Sequence, residues 1–180
     1  MSRSRDLMAG LAVAAVAAYV FTGCGEASQE AAPVEPELTR VSSLSALMAP
    51  LCPVTEESSV RAEILPRGGI VSLHGHSVYF PPGAVSEPVQ VKLTVPASQY
   101  VEVDIEVNGQ EHYQLARPVL ATLSYERCGQ EALRGGGPLV VWHVDGTSRR
   151  PLERMGSLND RMSRSVSFVT NHFSRFVIAN

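Results

Sequence analysis

The chain has 180 residues, 44% of them hydrophobic, enough for one ordinary domain with appendages and too short for two large ones. A formal net charge of −3 argues against a general nucleic-acid binder, whose footprint is a basic excess. The charge is unevenly spread: residues 24–60 hold six acids against Arg40 alone, while residues 146–180 hold six arginines and two acids. The arginines are read as a solvated face, with a patch for an anionic partner as the alternative.

At the N-terminus, Arg3 and Arg5 precede Leu7–Phe21, fifteen residues without a charge. A basic start followed by an apolar run of this length predicts a secretory signal. As a helix the run measures only about 22 Å, against about 30 Å for a bilayer core. Phe21-Thr22-Gly23-Cys24 resembles the bacterial lipobox, in which an apolar residue and two small ones precede a cysteine; Phe21 stands where Leu is preferred. The resemblance implies removal of a signal peptide, residues 1–23, and a diacylglycerol thioether on Cys24, usually with an N-acyl chain such as palmitate. Several chains anchor stably, since each buried methylene contributes about 0.8 kcal/mol. A plain signal peptide or a short anchor with an incidental Cys24 is the alternative. By the sorting rule that comes with the resemblance, Gly25 rather than Asp implies the outer membrane of a two-membrane cell. The expected location is therefore the cell envelope, facing the periplasm or exterior.

Residues 24–60 are expected to form the lipidated cysteine and a flexible acidic linker. Gly25–Pro36 is rich in small residues, Pro and Glu, with too little apolar material to pack. A short helix can follow over Ser42–Ala49, with Leu44, Leu47 and Met48 on one side and Pro50 and Pro53 stopping it. Cys52 and Cys128 remain once Cys24 is assigned to lipid, and an oxidising compartment predicts a disulfide between them. A reactive thiol or metal pair is the weaker alternative, for neither has a C-x-x-C partner or a clustered third ligand.

From residue 61 the apolar period is two. Val89, Val91, Leu93 and Val95 alternate with polar residues, as do Val101, Val103, Ile105 and Val107, and Val119, Ala121, Leu123 and Tyr125 keep the same spacing. Val166 and Phe168, then Phe176 and Ile178, repeat the pattern. Asn108-Gly109 and Asp145-Gly146 are hairpin dipeptides, and Pro81-Pro82-Gly83, residues 135–138 and Asn159-Asp160 mark loops. Short strands with regular turns and no helical stripe predict an all-β fold, an antiparallel β-sandwich over 61–180. Trp142 is expected in the core. Glu102, Asp104 and Glu106 are read as the solvated face of an exposed or edge strand, with calcium attraction as the alternative.

Gly68-Gly69-Ile70-Val71, Val78-Tyr79-Phe80-Pro81-Pro82-Gly83-Ala84, Trp142 and the ending His172-Phe173-Ser174-Arg175-Phe176-Val177-Ile178 resemble the ZU-type domain. That domain is named for zona occludens and uncoordinated-five proteins and also occurs in ankyrins. The Pro-Pro-Gly-Ala turn and the His-Phe-Ser ending are its more specific parts. The resemblance implies a β-sandwich used for protein–protein contact.

Catalytic motifs such as G-x-S-x-G and H-E-x-x-H are missing from the sequence, so no enzyme and no cofactor are expected. The sharpest chemical alternative is self-cleavage between Phe173 and Ser174, which some relatives of the ZU type perform at such a triplet. Ser174 Oγ would attack the Phe173 carbonyl and His172 would accept the proton. An uncleaved final strand, with Phe173 or Phe176 in the core and Ser174 outward, is preferred. His74 and His76 could project to one side of an extended segment as a metal pair, but two ligands are too few, and His112, His143 and His172 look scattered. The expected function is a membrane-anchored, non-catalytic interaction or structural module whose partner is an unknown protein or surface polymer.

Overall fold

A computed structural model describes Leu47, residues 49–130, Leu133 and residues 137–180. The expected all-β architecture is present. Thirteen strands run β1 Leu51–Val54, β2 Ser58–Ile64, β3 Gly69–Leu73, β4 His76–Phe80, β5 Val89–Val95, β6 Ser98–Tyr100, β7 Glu102–Val107, β8 Gln114–Ser124, β9 Val140–Val144, β10 Pro151–Arg154, β11 Ser157–Asp160, β12 Ser165–His172 and β13 Arg175–Ala179. They build a six-stranded sheet in the order β10-β9-β13-β7-β5-β2, a five-stranded sheet in the order β11-β12-β8-β4-β3, and a small β1-β6 pair. Every pairing is antiparallel. β1 and the first residues of β2 fall inside the stretch expected to be linker, so the β structure starts at Leu51 rather than at residue 61.

The period-two pattern decides which side chains meet. Val89, Val91 and Leu93 of β5, Val103 and Ile105 of β7, and Val119, Ala121 and Leu123 of β8 are all buried in one core between the two large sheets. Aromatic rings fill its centre. Phe80 and Phe173 have centroids 5.7 Å apart, Phe168 and Phe176 4.8 Å apart, and both pairs are tilted, a geometry that adds about 1 kcal/mol each beyond simple burial. A smaller cluster of Leu47, Val144, Val177 and Ala179 lies apart from this core. Trp142 packs against that second cluster, with Ala49 and Tyr100, rather than in the main core.

The turns follow their residues. His74 and Gly75, both at positive φ (50° and 82°), join β3 to β4 as a two-residue turn that twists with the strands. Asn108-Gly109 adopts the same conformation, at 52° and 75°. Asp145-Gly146 differs: Asp145 Oδ1 accepts from the backbone N–H groups of Thr147 and Ser148, and a longer loop leads into β10. Only glycine suits position 68, where φ is +88° and a Cβ would stand 2.4 Å from the Phe80 carbonyl oxygen. Cys52 and Cys128 form a disulfide, with Cα atoms 5.0 Å apart, which ties β1 to the segment after β8.

The expected place of β7 is overturned as well. β7 is not an edge but lies between β5 and β13, and two of its three acids are not solvated. Glu102 is fully buried and Asp104 nearly so. Arg149 Nη2 donates to Glu102 Oε1 at 2.9 Å, Arg175 Nη2 donates to Asp104 Oδ2 at 2.7 Å, and Lys92 Nζ pairs with Glu106 at 3.3 Å. The alternation along β7 was legible in the sequence. Its neighbours in the sheet were not, because they come from distant segments. Burial raises the Glu102 pKa above the ordinary carboxylate value, although Arg149 and Arg175 pull it down.

Candidate functional site

Glu153, His143 and Phe176 are Cα partners across β10, β9 and β13. Residues opposite one another in a sheet share a face, and Phe176 packs into the main core, so this row points toward the second sheet. His172 ends β12, which belongs to that second sheet. The two layers thus bring His143, Glu153 and His172 together, with one donor atom from each lying within 4.8 Å of the other two. The imidazoles of His143 and His172 are 5.1 Å apart between centroids and tilted by 59°. Phe176 backs both rings, at 5.7 Å and 6.4 Å. The sequence expectation that these histidines are scattered is therefore corrected: 29 residues separate them along the chain, and the sandwich closes that distance.

The two histidines are prepared differently. His172 Nδ1 lies 3.4 Å from Thr170 Oγ1 and 3.4 Å from Asn171 Oδ1. Thr170 spends its own proton on the His172 carbonyl at 2.8 Å, which leaves both neighbours as acceptors. Acceptors on that side favour a proton on Nδ1 and a free lone pair on Nε2. His143 Nε2 is buried with no hydrogen-bond partner among the described residues. Burial lowers the His143 pKa below the ordinary imidazole value, and nearby His172 and His112 push the same way against Glu153 and Asp145. Glu153, by contrast, is exposed on the edge strand β10.

His172-Phe173-Ser174 occupies the corner where the chain leaves β12 for β13, and so passes from one large sheet to the other. Phe173 and Phe176 are both in the core, and Ser174 is buried rather than outward. The Ser174 carbonyl accepts from Ile105 N–H at 3.2 Å. His74 and His76 have separate surroundings. His74 sits in the β3–β4 turn and lines a cleft of about 670 Å³ with Glu56, Glu57, Glu126 and Arg127. His76 is buried, and its Nδ1 accepts from Ser124 N–H at 3.2 Å. Burial lowers the His76 pKa to about 4, with smaller contributions from Arg127 and His74. Neither of these histidines joins a group of three donors among the described residues. Cys24 and the signal segment lie outside the described residues, within which no helix is long and apolar enough to cross a membrane.

A second feature lies on the outer face of the five-stranded sheet. Ile70, Tyr79, Leu120 and Val169 are register partners across β3, β4, β8 and β12, and their side chains are 60%, 47%, 43% and 58% exposed. The adjacent row is Ser72, Ser77, Thr122, Ser167 and Leu158, with Leu158 73% exposed. Neither row carries a charge. Sequence reading missed this face because each apolar member looks like an ordinary strand residue; the pairing register makes them a stripe. No protein-family model and no curated protein sequence matches this chain.

Proposed function

We propose that this protein is a bacterial envelope lipoprotein, held to the membrane through Cys24, whose β-sandwich binds a protein partner and performs no catalysis. The observation that carries the interaction is a pair of uncharged rows on the outer face of the five-stranded sheet, with Ile70, Tyr79, Leu120 and Val169 exposed in one cross-strand row. Scattered exposed apolar side chains are ordinary, but a contiguous row rimmed by small polar residues marks a contact surface. The ZU-type resemblance points to the same use. The lipobox-like Phe21-Thr22-Gly23-Cys24 and the Pro- and Glu-rich stretch after it support an anchored domain held off the bilayer.

Two variants test the reading. Cys24→Ser should move the full chain from the membrane to the soluble fraction; retention in the membrane would overturn the anchor. A photocrosslinking residue at Val169 should give a discrete adduct in intact cells, abolished by Leu120→Asp, while melting temperature changes little. No adduct, or an equal one from the same probe at Lys92 on the other sheet, would overturn the contact face.

A further inference from the structure

The structure assigns a divalent transition-metal site to His143, Glu153 and His172, of the kind that takes zinc. Two imidazoles and one carboxylate form a borderline donor set, suited to Zn²⁺ and, by the order of divalent affinities, still better to Cu²⁺, whereas magnesium and calcium prefer all-oxygen shells. The geometry is within reach. Ligands bound at about 2.0–2.1 Å in a tetrahedron lie about 3.3 Å from one another, and the three donors already stand within 4.8 Å. Closure falls to Glu153, an exposed side chain with free rotamers, while both rings rest against Phe176.

Two further observations point to a ligand. His143 Nε2 is buried and finds no hydrogen-bond partner among the described residues, an unmet polar atom that an ion would satisfy. The acceptors around His172 Nδ1 favour the tautomer that leaves a lone pair on Nε2, as hydrogen-bonded carboxylates and carbonyls do for ligating histidines elsewhere. The three ligands stand on three strands, β9, β10 and β12, drawn from both large sheets, so a bound ion clamps one layer to the other at this edge. Three protein ligands leave a fourth position for water, so the site holds an ion without being closed.

The test is calorimetric titration of Zn²⁺ into the full chain, purified without a histidine tag and stripped with chelator. One equivalent should bind at micromolar or tighter affinity and raise the melting temperature. Glu153→Gln alters an exposed side chain and should weaken binding at least tenfold with the apo melting temperature unchanged. His143→Asn and His172→Asn should abolish binding, whereas His74→Asn should leave it intact. With Cu²⁺, the electron paramagnetic resonance spectrum should show coupling to two imidazole nitrogens. No binding up to 1 mM Zn²⁺, equal affinity in Glu153→Gln, or loss in His74→Asn would each overturn the site.

Discussion

Burial of a single imidazole gives this fold an acid limit. His76 is 1% exposed, its Nδ1 is taken by Ser124 N–H, and burial lowers its pKa from 6.5 to about 4. The unfolded chain therefore binds the proton first, between pH 6.5 and 4, so stability falls as pH drops through that window and is full above it. The shift corresponds to on the order of 3 kcal/mol. Glu102 works in the opposite sense, because its raised pKa favours the folded state at low pH. The clean measurement is thus a difference: denaturant unfolding of the parent and of His76→Gln from pH 7 to 4. The parent should lose more stability over this range than the variant; parallel curves would remove His76 as the acid-sensitive group. In the sequence, His76 was one of two histidines around Gly75, and nothing local distinguished the buried one from the exposed turn residue.

At the scale of elements, the strands and hairpins were legible because alternation and turn dipeptides are local. Asn108-Gly109 adopts left-handed φ at both positions, and the apolar positions of β5 and β8 became core as read, although Thr94 on the opposite side of β5 is buried too. Edge or centre is a different matter. β7 shows the same alternation that an edge strand would, yet β5 and β13 flank it, and Glu102 and Asp104 take their arginine partners from residues 149 and 175. The disulfide was also readable, from two cysteines left over, and it closes a separation of 76 residues. In the chain-entropy picture, a loop of that length contributes about 4 kcal/mol. Replacing Cys52 and Cys128 together with Ala should lower the unfolding free energy toward that amount, measured by denaturant titration. A loss under about 1 kcal/mol would mean that the unfolded chain is already constrained at this point.

For the whole molecule, intact mass is the most informative measurement. The full chain purified from membranes should run as Cys24–Asn180 plus lipid and gain two hydrogens on reduction. A polypeptide ending at Phe173, with a released Ser174–Asn180 peptide, would instead make His172-Phe173-Ser174 a self-processing centre. The sequence by itself determined the all-β class, the antiparallel sandwich, most strand positions and the pairing of Cys52 with Cys128. Those features depend on periods of two, turn residues and residue counts, all of which act over a few positions or by elimination. Tertiary structure alone decided that His143, Glu153 and His172 converge, that β7 is central with buried acids, and that Ile70, Tyr79, Leu120 and Val169 align on one open face. Each of these is a relation between strands far apart in the chain. Sheet order and register create such relations, and alternation within a strand fixes only which face a residue takes, not what stands opposite it.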